Sequence, residues 1–251
     1  MADRHELSTS FGAQAGAYEA GRPEYPRAAV AWMLEPVAAS STGRSPRVAD
    51  VGAGTGKLTR VAVALGATVT AVDPDEAMLA ALTTAVPGVP TQVGTAEQLP
   101  LPDESQDAVI LGQAWHWVDP VAGSRETARV LRPGGVLGLI WNIRDESMPW
   151  VARLTQIMRG SRAESLLAEG GPEVAAPFGP LEVQQWSWVR PMTRQRLLDM
   201  ARSRSYVITA SDAERARIEA GLAELLDDVG AVGEATVEMP YVTSAFRVLR
   251  P

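Results

Sequence analysis

The sequence predicts an α/β fold, a mostly parallel sheet with helices on both faces, and three observations carry that reading. An apolar run at 47–51 ends in a tight turn with Gly52, Gly54 and Gly56, and Leu58, Val61, Ala62 and Leu65 then recur at helical spacing. Short apolar runs go on alternating with helical periodicity, the mark of strand–helix–strand crossovers. The second such run closes on an acid, Asp73, at a strand end where parallel sheets present groups to a ligand.

Taken in order, residues 1–17 are small and polar, and the stretch 18–26 is different. There Pro23 and Pro26 stiffen a segment carrying Tyr18, Arg22 and Tyr25, which reads as a lid over a ligand site or as an arm capping the fold. Pro26 suits a helix start, and apolar spacing carries that helix to about 38, before a loop at 40–46. Strand one (47–51) leads to a helix at 57–65, and strand two (67–72) to a helix at 75–84 that Asp75 or Pro74 begins. Residues 89–93 and 107–111 are strands three and four, 121–131 a helix and 136–141 strand five. Arg132, Pro133, Gly134 and Gly135 form the turn before strand five.

Past Asn142 the pattern loosens. It predicts helices at 149–161 and 163–169, a Gly/Pro-rich stretch to 180, a strand at 181–189 with Trp186 and Trp188, and a helix at 193–203 capped by Thr193. A long amphipathic helix at 212–229, capped by Asp212 or Ser211, and a strand at 236–249 complete the chain. The late strands extend the same sheet. One domain is therefore expected, with an arm and first helix at 1–46, a ligand-binding core at 47–142, and lid elements plus the last two strands at 143–251.

Composition narrows the function. The 251 residues include no cysteine, which removes disulfides, thiolate nucleophiles and cysteine zinc sites. A formal charge of -7 argues against nucleic acid as a partner. No apolar run approaches a membrane span, and no leader pattern opens the chain, so no membrane partner and a cytoplasmic location are expected. No cluster of Asp and His suggests a metal. A monomer or homodimer is expected.

The glycine turn reads G-x-G-x-G, whereas the dinucleotide fingerprint is G-x-G-x-x-G and the phosphate loop needs G-x-x-x-x-G-K-[S/T]. Val51 and Leu58 break the latter at both ends, leaving Lys57 as an ordinary helix residue. Asp73 follows Gly52 by roughly twenty residues, the spacing at which an acid accepts the hydroxyls of an unphosphorylated ribose; it also reads as a helix cap. After strand three comes a loop at 94–102 containing Thr95, Ala96 and Glu97.

Together these pieces resemble class I S-adenosylmethionine-dependent methyltransferases. The family's first motif, an acid followed by x-G-x-G-x-G, matches Asp50 through Gly56, its ribose acid falls on Asp73 and its adenine loop on Thr95, Ala96 and Glu97. Many members carry aspartate where this chain has Thr95. The fourth-strand segment matches 110–119, and the turn at 131–135 is also typical. The opening at 11–26 resembles the type 11, trans-aconitate-methyltransferase-like branch, in which that segment folds over cofactor and substrate. The likeness covers 10–142 well and the remainder by element order.

The resemblance implies a Rossmann-like seven-stranded sheet of order 3-2-1-4-5-7-6 with its last strand antiparallel. It implies S-adenosyl-L-methionine as methyl donor, S-adenosyl-L-homocysteine as product, and a small-molecule acceptor attacked in line, oxygen being the favoured atom. Asp50, Gly52, Ala53, Gly54, Thr55 and Gly56 would meet the methionine end. Asp73, with Pro74 and Met78, would take the ribose, and Thr95, Ala96 and Glu97 the adenine. Gln113 and Ala114 would face the methionine portion or the reacting centre, with Tyr18 and Arg22 closing over it.

His116 is expected as general base or as a contact that orders the cofactor loop. Trp115 and Trp117 read as walls of an acceptor pocket or as core. Tyr25, Trp141, Asn142, Arg144, Arg204 and Tyr206 complete the acceptor set. A carboxylate acceptor would call on Arg22, Arg144 or Arg204; otherwise these are surface arginines. Two alternatives stand beside this reading: a nucleotide-linked oxidoreductase on a similar sheet, and a cofactor-binding regulator without transfer activity.

Overall fold

The computed structural model describes residues 22–40, 43–158, 160–202, 207 and 210–251. Tyr18, Arg204 and Tyr206 lie outside the described residues. Seven strands form one sheet: β1 (Arg47–Val51), β2 (Thr68–Asp73), β3 (Thr91–Val93), β4 (Gln106–Gly112), β5 (Leu131–Arg144), β6 (Glu182–Thr193) and β7 (Thr236–Leu249). Their order is β3-β2-β1-β4-β5-β7-β6. β1 through β5 pair in parallel, and β7 runs antiparallel to both β5 and β6. The sheet is thus the one the family resemblance implied.

The helices are α1 (Arg27–Ser40), α2 (Lys57–Ala64), α3 (Glu76–Ala85), α4 (Pro120–Val130), α5 (Pro149–Met158), α6 (Arg162–Ala168), α7 (Arg194–Arg202) and α8 (Asp212–Asp228). Alternation along the strands divides the core into layers. Ala108 and Ile110 of β4 join Val30 and Met33 of α1 and Leu58 and Ala62 of α2 on one face. Val109 and Leu111 join Val51, Leu139 and Trp141 on the other, beneath Ala128 of α4. All four β4 residues are fully buried, which is why this strand reads as an unbroken apolar run. Each large aliphatic side chain so buried contributes ~1.5–3 kcal/mol before conformational entropy is subtracted.

A third cluster belongs to the late elements. Leu154 and Met158 of α5, Leu197 and Met200 of α7, and Leu222 and Leu225 of α8 pack together on Met239 and Tyr241 of β7. Tyr241 pairs with Arg144, the last residue of β5. This helical cap therefore stands at the carboxyl end of the sheet.

Several boundaries differ from expectation for local reasons. The turn at 132–135 is present, but it is bonded into the ladder. Gly134 N–H donates to the Arg250 carbonyl at 2.9 Å, and Arg250 N–H to that of Gly135 at 2.8 Å. β5 accordingly begins at Leu131, with a shift of register between the pairs Gln106↔Leu131 and Ala108↔Val136. β6 continues past 189 to Thr193 and includes Pro191, which an edge strand tolerates because its outer side needs no donor. The expected helix at 149–161 stops at Met158. Ser161 instead caps α6 in a reciprocal box with Glu164, two orphan donors being satisfied at once.

Candidate active site

The glycine turn is built from backbone geometry. Gly52, Gly54 and Gly56 have φ of 67°, 55° and 87°, a region L side chains rarely adopt. A Cβ on Gly52 would lie 2.7 Å from that of Ala114, and one on Gly56 2.8 Å from Leu82 Cγ, while nothing stands within 4 Å of one on Gly54. Gly52 and Gly56 thus permit close packing, and Gly54 leaves an open surface. Ala53 and Thr55 between them are buried.

Asp73, at the end of β2, is tied to that surface: Gly54 N–H donates to its Oδ2 at 2.8 Å, and Asp75 N–H to its Oδ1 at 2.9 Å. Burial raises its carboxyl above the ordinary range, against the pull of these two bonds. Each oxygen keeps a further acceptor site for a ligand hydroxyl. Capping of α3 falls to Asp75, which accepts from Ala77 and Met78 N–H; Pro74 is half-buried and Met78 buried.

Asp50 is fully buried, accepts from Thr59 Oγ1 at 2.5 Å through Oδ2, and has no partner at Oδ1. Burial above all raises its carboxyl to about 7, with the Asp73 charge adding and the Thr59 bond opposing. A buried oxygen left unsatisfied costs about 1–3 kcal/mol. An acid with an orphaned oxygen, beside an uncovered glycine and a second acid, suits a donor bearing hydroxyls and positive charge.

The loop after β3 closes on itself through reciprocal Thr95 and Gln98 backbone bonds of 3.3 and 3.2 Å. Thr95 is half-buried and Ala96 buried. Glu97 Oε1 accepts Asp119 N–H at 3.0 Å, and Asp119 in turn caps α4. The loop is thereby anchored to the helix following the 3-10 turn Trp115–Trp117.

At the ends of β4 and β5 a second assembly appears. Gln113 has φ of 56°, and its Nε2 donates to the Asn142 carbonyl at 2.8 Å; Ala114 follows it, half-buried. Asn142 Nδ2 donates to the Glu24 carbonyl at 3.1 Å, while its Oδ1 accepts Thr243 Oγ1 at 2.6 Å. Trp188 Nε1 donates to Thr243 Oγ1 at 2.8 Å. The Glu24 carboxylate takes Lys57 Nζ at 3.2 Å and Arg60 Nη1 at 2.7 Å. The 22–26 segment is thus strapped across the strand ends, from the start of α2 to β5.

This geometry corrects several expectations. Asn142, expected only as an acceptor contact, also holds the strap: one Nδ2 hydrogen goes to Glu24 and its Oδ1 accepts from Thr243, while the residue still lines the cleft. Tyr25 is buried, and a Cβ on Gly112 would lie 2.6 Å from its hydroxyl; it is a packing residue beneath the strap. Lys57, expected as an ordinary helix residue, is 8% exposed and pairs with Glu24. Trp115 is buried, its Nε1 donating to the Glu173 carbonyl at 2.8 Å. Trp141 has no exposed surface and stands edge-on to Phe246. Trp141, expected at the acceptor, is thus a core residue, and Trp115 takes the core alternative already open to it, because their strand and turn positions point inward. Trp117 is half-buried, with Arg162 5.0 Å above its ring.

For His116, expected as a base or as an ordering contact, the geometry favours the second. Trp141 Nε1 donates to its Nδ1 at 3.3 Å, which assigns the ring proton to Nε2. Burial, then the charges of Arg162 and Arg22, lower its pKa to about 3. In this arrangement the imidazole is neutral, its lone pair is engaged, and Nε2 has a hydrogen bond to donate.

A cleft remains beside the strap, with Arg22, Gln113, Asn142, Arg144, Glu164 and Tyr241 among its walls. Arg144, expected at the surface or on a rim, is 3% exposed. Its Nη2 donates to Glu164 Oε1 at 2.8 Å and Thr155 Oγ1 at 3.1 Å. Glu164, Thr155 and Tyr241 carried no sequence signal for a site, although the Ser161-x-x-Glu164 capping box was readable. Among the described residues no cluster of His, Cys, Asp or Glu could hold a metal ion, and no helix is long and apolar enough to cross a membrane.

Comparison with known proteins agrees with this architecture. Residues 49–139 match the model of a methyltransferase domain family. An uncharacterized methyltransferase of Mycobacterium tuberculosis (strain ATCC 25618 / H37Rv) is 43% identical over 250 residues, covering 97% of each chain. An uncharacterized methyltransferase-like protein of Schizosaccharomyces pombe is 32% identical, covering 98% of this chain and 97% of its own. The solved structure of a type II methyltransferase from Anaeromyxobacter dehalogenans, described there as putative, superposes with a TM-score of 0.67 at 27% identity, over 90% of this chain and 97% of that one. With the glycine turn, the two acids and the sheet order already in place, these likenesses make the chain a member of the class I S-adenosylmethionine-dependent methyltransferases.

Proposed function

We propose that the chain binds S-adenosyl-L-methionine over the turn at 52–56 and transfers its methyl group to an oxygen of a small molecule held in the neighbouring cleft. The observation that carries this is the uncovered surface over Gly54, tied to Asp73 and backed by the orphaned oxygen of Asp50. Asp73 would receive the ribose hydroxyls and the loop at 95–97 the adenine. Asp50 would stabilise positive charge at the methionine end.

When bound, the sulfonium supplies a methyl group already activated toward displacement. The residues of the chain then have to bind, orient and exclude water. Positioning of this kind is worth up to ~7–11 kcal/mol. Gln113 and the strap residues Arg22 and Pro23 would form one side of the acceptor site, and Trp141 engages the His116 imidazole. With that imidazole lone pair engaged, an acceptor oxygen that arrives already ionised suits the site.

Calorimetric titration with S-adenosylhomocysteine tests the donor assignment. Binding is expected for the wild type, at least about tenfold weaker binding for Asp73→Ala, and none for NADH. Failure of the wild type to take up the product at near-millimolar protein and ligand overturns it, as does an unchanged affinity in Asp73→Ala.

A further inference from the structure

The acceptor cleft carries charge opposite to that of the chain. The chain is formally -7, yet Arg22 and Arg144 line the cleft against one lining carboxylate, Glu164. Arg190 stands near as well: the charges of Arg144, Arg190 and Arg22 all act on the Tyr241 hydroxyl in the same wall. A positive cleft with low-dielectric walls concentrates anions.

Arg144 is the centre of this arrangement. Both of its hydrogen bonds leave from one nitrogen, Nη2, whereas Nε is buried without an acceptor. Most buried donors are satisfied, so an orphan on a fixed guanidinium fork points to a partner that arrives as ligand. Glu164 does not fill that place. Its Oε1 is held on Nη2, and its Oε2 accepts Ser161 N–H in the α6 capping box.

We propose that the acceptor is a small anion, that Arg144 grips its carboxylate or phosphate group, and that Glu164 is a built-in competitor for the same guanidinium. This rests on reading the cleft as the acceptor site. Glu164 keeps Arg144 paired when no acceptor is present and sets a threshold that a weakly anionic or neutral molecule does not pass. Amines are excluded by repulsion from the arginines.

The test uses the full chain and calorimetric titration with succinate, inorganic phosphate and the neutral diamide succinamide. Wild type is expected to take up at least one anion saturably and not the diamide. Uptake of succinate alone marks a carboxylate acceptor, and of phosphate alone a phosphorylated one. Glu164→Gln removes the competitor and should bind the anion about tenfold more tightly. The double variant Arg144→Gln/Glu164→Gln avoids an unpaired buried charge and should lose anion binding while melting cooperatively.

Anion uptake by neither wild type nor Glu164→Gln overturns the proposal. So does Glu164→Gln binding no more tightly than wild type, or retained affinity in the double variant. S-adenosylhomocysteine titrated into the same samples separates the two readings: product uptake without anion uptake overturns only this inference, and the reverse overturns only the donor assignment.

Discussion

The two halves of the site are made differently. The proposed donor half runs from Asp50 to Asp73 and on to the loop at 95–97, and its parts are neighbours in the chain or one crossover apart. It works mainly through backbone, with three glycines at positive φ and a carboxylate bonded to one of their N–H groups. The proposed acceptor half brings together Arg22, Gln113, Arg144, Glu164 and Tyr241 from five separate stretches, and it relies on side chains. Each half contains a buried polar atom left unsatisfied, Asp50 Oδ1 in the first and Arg144 Nε in the second. An acid is orphaned where a cation is expected, and a guanidinium where an anion is proposed. In the proposed assignment, methyl transfer rests on a backbone scaffold and the choice of acceptor on packed side chains.

The sharpest challenge to this contrast is Trp141. It sits at the end of β5, on the boundary between the halves, yet is wholly buried. Trp141→Ala is expected to lower stability by ~3–5 kcal/mol, measured by urea unfolding. A near-wild-type melt combined with lost acceptor affinity would return it to the acceptor wall.

Asp50 gives an effect of opposite sign. In the unfolded chain its carboxyl ionises near the ordinary aspartate value of about 3.9, but in the fold only at about 7. Over that window the unfolded state releases a proton that the native state keeps, so this group makes stability fall as pH rises from about 4 to 7. Asp50→Asn should remove the fall. At about 1.36 kcal/mol per pH unit, with the Thr59 bond already contained in the value of about 7, the variant should gain ~4 kcal/mol at pH 8 and almost nothing at pH 4. Thermal melts of the ligand-free chain across pH check this. An equal difference at both pH values would mean that Asp50 is not held protonated.

Gly54→Ala is expected to have the smallest effect on folding. Nothing stands within 4 Å of the added Cβ, so only the left-handed backbone is penalised, by ~1 kcal/mol. Its consequence should fall on the donor: S-adenosylhomocysteine affinity drops while the unfolding midpoint scarcely moves. A variant that binds the product as wild type does would place the donor away from this surface.

Much of the donor half was legible in the sequence. Glycine spacing, the acid closing the second strand and the alternation of apolar runs are local signals, and local backbone geometry answers to them. The capping box that ends the expected 149–161 helix early was written there too, as Ser161-x-x-Glu164. The acceptor half was legible only as residue types. Arg144 reads as a surface arginine until β7 and α6 enclose it, and Lys57 as a helix residue until Glu24 arrives across the strap. His116 looks like a base until Trp141, on the neighbouring strand, donates to its only free nitrogen.

By itself the sequence determined the α/β class, the strands and helices in their order, and the glycine turn with its two acids. These depend on propensity, periodicity and positive φ, which act within a few residues. Tertiary structure alone decided which arginine is buried, which tryptophans are core, and that the histidine is a donor, because burial and proton position depend on atoms within about 3 Å that belong to distant parts of the chain.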